Sequence, residues 1–237
     1  MDSLVSALEK LKDGQMDGTG LPDEFSLQNS IGTLAKTVRH ATSYATKYSM
    51  TLLQVALLDD RAVLAADSRI RTGPVEGPHQ LGTGNKLFEI GGCAVASFNC
   101  NPPGLSVPDL IRSFDCARSE PGSLAIRVAT KINELPDRGD FGLLICGIGA
   151  GDPELWEIES KSARLLRRSV EFGRISTRGT HVAGLDGVPP ILDPELLQSQ
   201  MLSIFRQAAD QYDGVGPPYE IATIRRSQPV AVTHFKT

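Results

Sequence analysis

Three residues stand where they could work together: Thr51, Asp67 and Lys86. A threonine hydroxyl is a weak nucleophile until a base takes its proton. The α-amino group of the same residue can be that base, but only if the threonine is the first residue of the working chain. Such an amine titrates near ~8, so part of it is neutral at working pH. A lysine ammonium beside it would lower that value and stabilise developing charge, and a carboxylate would keep the lysine charged and fixed. Thr51 opens an apolar run, Asp67 ends the next run sixteen positions on, and Lys86 opens the one after. Spacing alone does not single these residues out, because any strand can begin with threonine and most Asp and Lys side chains are solvated.

The elements that would position them follow from periodicity and turn chemistry. Residues 51–58 and 61–67 read as two strands joined at Asp59-Asp60, a hairpin that returns Asp67 towards Thr51. Residues 71–85, rich in Gly and Pro, read as a long irregular loop that delivers Lys86. A second hairpin is expected from Lys86–Ile90, Gly91-Gly92 and Cys93–Phe98. Helices are expected from Val107 to Asp115 and, capped by Ser123, from there to Pro136; a third should run from Asp193 to about Gln211. Strands are expected at 141–146, 155–158, 163–166, 220–225 and 230–235. Hairpins exclude a chain of βαβ units and suggest two stacked antiparallel sheets with helices on the outer faces. Residues 1–50 change in composition. Two short helical patches, Leu4–Leu11 and about Leu27–Tyr48, flank a polar loop, with too few large apolar residues for a core. They are expected to be an extension, a propeptide or a mis-assigned start, and 51–237 the folded domain.

With 237 residues, 41% of them hydrophobic, the chain can bury one sizeable core. A net charge of −4 with no basic stripe argues against nucleic acid. No apolar stretch reaches the ~20 residues of a membrane helix, and no secretory or organellar address is legible. Cys93, Cys100, Cys116 and Cys146 lack a C-x-x-C, and His40, His79, His181 and His234 are scattered. We therefore expect buried thiols, no metal, no cofactor and a cytoplasmic setting.

The stretch from Thr51 to Arg69, Thr-Leu-Leu-Gln-Val-Ala-Leu-Leu-Asp-Asp-Arg-Ala-Val-Leu-Ala-Ala-Asp-Ser-Arg, resembles the opening of proteasome β-type subunits, bacterial-type homologues included. Asn85-Lys86-Leu-Phe resembles that family's lysine segment, and the order of elements is similar as far as Phe235. The resemblance implies an α+β fold, a four-layer αββα sandwich of the N-terminal-nucleophile hydrolases. It implies Thr51 as nucleophile and base, and Asp67 and Lys86 as the charged pair. It implies Asp210 as the aspartate supporting the threonine amine. It further implies a peptide or unfolded-protein substrate, a homo-oligomeric ring, and an unfoldase or α-type ring as partner. The chain departs from the pattern in four places. Asp213 stands for a serine; Ser176, Thr177 or Thr180 must replace another. Asn99, in a proline-containing segment, is the candidate oxyanion amide. Met50 stands where glycine usually precedes the nucleophile.

The reaction expected is threonine-type hydrolysis of peptides, with a silent structural subunit or a small-amide amidohydrolase on the same fold as alternatives. Gly147-Ile-Gly149-Ala-Gly151 resembles a dinucleotide loop, but the text after it reads as turn and strand rather than helix. Gly82-Thr-Gly84-Asn-Lys86 lacks P-loop spacing.

Overall fold

The first strand, β1 (Leu52–Leu58), is buried at every position, which explains its unbroken apolar text. It pairs antiparallel with β2 (Arg61–Asp67), Leu53 opposite Ala66 and Leu58 opposite Arg61, across the expected Asp59-Asp60 turn. The structure, a computed structural model, describes residues 51–72, 80–98, 106–114, 118–136, 138–162, 164–180, 182 and 188–236. The expectations for residues 1–50, Cys100, Cys116, His79, His181 and the Asn99 amide lie outside these.

Ten further strands follow: β3 (Arg69–Thr72), β4 (Gln80–Thr83), β5 (Leu87–Ile90), β6 (Cys93–Phe98), β7 (Gly142–Ile148), β8 (Pro153–Glu159), β9 (Arg164–Arg168), β10 (Ser176–Gly179), β11 (Tyr219–Arg225) and β12 (Ala231–Phe235). The helices are α1 (Val107–Arg112), α2 (Pro121–Asn133) and α3 (Pro194–Gln211). One five-stranded sheet has the order β10-β1-β2-β11-β12, the other β5-β6-β7-β8-β9, and β3-β4 is a separate ribbon. All pairs are antiparallel, so the fold is mixed α+β.

Alternation sorts the core into three clusters. Leu53, Val55 and Leu57 of β1 join Leu64, Ala66, Ala222 and Ile224, and these meet Leu87, Ala96, Leu144 and Leu155 of the other sheet. The opposite face, Leu52, Ala56, Leu58, Tyr219 and Ile221, packs with Leu197, Met201, Ile204, Phe205 and Ala208 of α3. Val95, Leu143, Ile145 and Ile158 pack with Leu110 and Ile111 of α1 and Leu124, Val128 and Ile132 of α2. Each fully buried Leu or Ile contributes about 1.5–3 kcal/mol by leaving water. Gln54 is the polar exception on β1: fully buried, its Nε2 donates to the Met201 carbonyl at 2.9 Å and ties β1 to α3.

Local signals set the ends. Asp193 caps α3, its carboxylate accepting from the Leu196 N–H at 2.8 Å, and Pro194 opens the helix. Ser106 caps α1 in the same way. Helix α2 begins at Pro121, so the expected cap Ser123 sits inside it; proline at the first helical position fixed the start two residues earlier. Gly91 and Gly92, φ 58° and 80°, make the tight β5–β6 turn, which needs two positive φ values. The run Gly147–Gly151 is a hairpin connection between β7 and β8. The expected loop at 71–85 is corrected: β3 and β4 pair there from Arg69–Thr83 to Thr72–Gln80. Its glycines and prolines concealed a ribbon held by main-chain bonds.

Candidate active site

The two strand ends that the β1–β2 hairpin brings together are tied by a side chain. Asp67 is completely buried, and its Oδ1 accepts the Leu52 N–H at 2.8 Å, one peptide from Thr51. Its Oδ2 accepts the Arg69 N–H at 3.1 Å and the Lys86 ammonium at 2.9 Å. Lys86 is only 6% exposed, so the pair is shielded from solvent. Burial pushes the Asp67 carboxyl up, while the Lys86 ammonium and the two amide donors oppose that rise. None of the three donors can accept a proton, the arrangement expected around a carboxylate. The Lys86 carbonyl accepts the Ser97 N–H at 3.0 Å, which fixes the lysine at the head of β5.

Thr51 is buried and extends the β1–β10 pairing by one residue: its carbonyl accepts the Thr180 N–H at 2.8 Å. Of the three hydroxyl residues considered, Thr180 is therefore the one opposite Thr51, and it too is buried. Thr177 and Ser176 pair with Gln54 and Val55, deeper along the strand.

Asp210 is placed differently. It is exposed in the last turn of α3, and among the described residues no hydrogen bond or ion pair joins it to Asp67 or Lys86. Between them lies a residue that sequence reasoning missed. Tyr219 pairs with Asp67 and stacks on Phe205 at 4.7 Å. Burial raises its phenol pKa, and the Asp67 and Asp210 charges push the same way. Asp213 presents its carbonyl, not its side chain, to Arg69 at 2.9 Å.

Two more buried acids were missed. Glu220, between Tyr219 and Ile221, meets His234 Nδ1 at 3.3 Å through Oε1, while Oε2 is buried without a partner. Burial raises its carboxyl, and His234 and the Leu87 N–H pull it back. Glu157, on β8, receives Arg168 Nε at 2.7 Å and Arg178 Nε at 3.0 Å on one oxygen. Burial would raise it, but the two guanidinium hydrogen bonds prevail and hold its carboxyl below the usual range.

The Arg178–Glu157 bond also sets the two sheets in register. Arg178 pairs with Leu53, and Glu157 with Leu144. A cavity of about 350 Å³ is lined by Phe98, Gly142, Glu157, Glu159, Ser160 and Lys161, and none of Thr51, Asp67, Lys86 and Thr180 lines it. Among the described residues no His, Cys, Asp or Glu cluster could hold a metal, and no helix is long and apolar enough to cross a membrane.

No protein-family model matches the chain, and no curated protein matches it in sequence. Solved structures share its fold. The Anbu (Gly-1) mutant from Hyphomicrobium sp. strain MC1 is 17% identical with a TM-score of 0.60, over 79% of this chain and 88% of that one. Anbu (ancestral beta-subunit) from Yersinia bercovieri is 16% identical with a TM-score of 0.59, over 78% and 87%. The membership of the proteasome β-type family expected from the Thr51–Arg69 block is thereby corrected: the structural neighbours are Anbu proteins, a distinct group. The block encodes a hairpin and its buried pair, and a fold of this kind serves more than one family. What the chain shares with the Anbu structures, at this identity, is the fold.

Proposed function

We propose that this chain is a threonine-type hydrolase of peptides, acting through Thr51 as the first residue of the working protein. The three apolar clusters support a four-layer αββα arrangement of the N-terminal-nucleophile kind, with the site at one end of the two sheets. The observation that carries the reading is the buried Lys86–Asp67 pair, hydrogen-bonded to the peptide next to Thr51. A charged pair shielded from water is costly to keep unless it serves the site beside it.

In the proposed reaction the Thr51 hydroxyl attacks the substrate carbonyl and passes its proton to the free Thr51 amine. Lys86 holds that amine's pKa down, and Asp67 holds Lys86 charged and in place. The amine then protonates the departing amino group, and an ester on Thr51 remains. Water, deprotonated by the same amine, releases the acid and restores the hydroxyl. Thr180 takes the place of the family serine, and Asp210 acts from a distance on the amine. The word subunit in the name of one fold neighbour supports assembly with further copies.

The test is a chain beginning at Met50. Mass spectrometry should show Thr51 as the first residue, and a peptide electrophile should add to it in parallel with peptide hydrolysis. A folded protein with free Thr51 that neither hydrolyses nor reacts is a silent scaffold.

A further inference from the structure

We propose that Arg178 and Glu157 are positioning residues, a latch between the sheets that sets Thr180 opposite Thr51; the proposal rests on the reading of Thr51 as nucleophile. Strand β10 has four residues and, among the described residues, sits at the edge of its sheet and pairs with β1 alone. None of its side chains belongs to the apolar clusters. Ile175 and Val182 on its flanks pack into the cluster that holds α3, so among the described residues its hold on the other sheet is polar. What ties it to the other sheet is Arg178, whose Nε donates to Glu157 Oε2 at 3.0 Å. The same guanidinium donates through a terminal nitrogen to the Thr177 carbonyl at 2.8 Å, so it also braces its own strand.

Glu157 is suited to be the fixed end. It lies on β8, between β7 and β9, and Arg168 of β9 holds its carboxylate at 2.7 Å. Arg178 and Thr180 are two residues apart and share a face, about 7 Å apart along the strand. Release of Arg178 therefore loosens β10 on the face towards the other sheet, and with it the Thr180 N–H bond to the Thr51 carbonyl. It does not orphan Glu157, which keeps Arg168. Arg178→Met is for that reason the informative change.

The test has two arms on the protein with Thr51 as first residue. Hydrogen exchange at the Thr180 amide should accelerate about tenfold or more in Arg178→Met, with the β2 and β11 amides unchanged. Arg178→Lys, which keeps a cation, should recover part of the protection. In the second arm, the maximal rate at which a peptide β-lactone acylates Thr51 should fall about tenfold in Arg178→Met with little change in half-saturating concentration. In a Thr180→Ala background Arg178→Met should slow acylation by less than it does alone, because the hydroxyl that the latch places is gone while the main-chain bond it protects remains. Additive losses, or unaltered exchange at Thr180, overturn the proposal. If Thr51 is not acylated in the unmutated protein either, the nucleophile reading falls, and the exchange arm alone supports or overturns the latch.

Discussion

Asp67→Asn should be among the most damaging single changes, and its cost can be worked from the contacts. The carboxylate accepts three bonds, from Leu52 N–H at 2.8 Å, Arg69 N–H at 3.1 Å and Lys86 Nζ at 2.9 Å. Asparagine offers one oxygen and one NH₂. With the oxygen towards Leu52, the NH₂ points its hydrogens at the Lys86 ammonium and the Arg69 N–H. Flipped, it opposes the Leu52 N–H. Either way Lys86, 6% exposed, loses its counter-charge. Removing one partner of a buried pair costs about 3–5 kcal/mol. At about 2–4 °C per kcal/mol for a domain of this size, the melting point should fall by roughly 6–20 °C. Urea unfolding at neutral pH followed by circular dichroism measures the loss. Lys86→Met leaves Asp67 two amide donors and should cost less, about 1.5–3 kcal/mol. Adding Lys86→Met to Asp67→Asn removes the buried ammonium that has lost the Asp67 carboxylate, so the double variant should be more stable than Asp67→Asn alone. Stability of Asp67→Asn within about 1 kcal/mol of the unmutated protein, or a double variant equal to the sum of the singles, would refute the reasoning.

Further outcomes are expected. Lys86→Ala should lose turnover of a peptide substrate by several orders of magnitude while the circular dichroism spectrum is retained; near-normal turnover would remove Lys86 from the mechanism. Glu220 has a carboxyl raised by burial, so its stabilising contribution is present below its unfolded value and lost as pH rises through the folded one. Glu220→Gln should therefore match the unmutated protein near pH ~4 and be the more stable of the two at neutral pH. A less stable variant at neutral pH would contradict that sign. At Gly142, an added Cβ would lie 2.1 Å from Cζ of Phe98. Gly142→Ala should cost about 1–3 kcal/mol by displacing that ring, read as a shifted urea midpoint; an unchanged midpoint would mean the ring moves freely.

What was legible in the sequence was local. The Asp59-Asp60 turn with an apolar run on each side specified the β1–β2 hairpin and its register, hence the return of Asp67 to the head of β1. Apolar residues at helical spacing from Asp193 to about Gln211 gave α3 nearly residue for residue. Strand β10 was not legible: Ser-Thr-Arg-Gly has no apolar alternation, and its place depends on main-chain bonds to a strand more than a hundred residues away. The ribbon β3–β4 was hidden for the same reason. At the site, the Asp67–Lys86 contact is one that the order of strands allowed. Glu157, Arg178, Glu220 and Tyr219 are set by which faces of two sheets meet, and no local pattern carries that information. Asp210 illustrates the converse: its place at the end of α3 was correct, but helix phase turned it to solvent.

The main chain around Thr51 is held on both sides, its carbonyl by Thr180 and the next amide by Asp67. Neither bond involves the Thr51 nitrogen. If Thr51 opens the working chain, as proposed, its nitrogen becomes an amine without either bond having to break. In zymogen terms, under that proposal, unmasking the base costs neither of these two tethers.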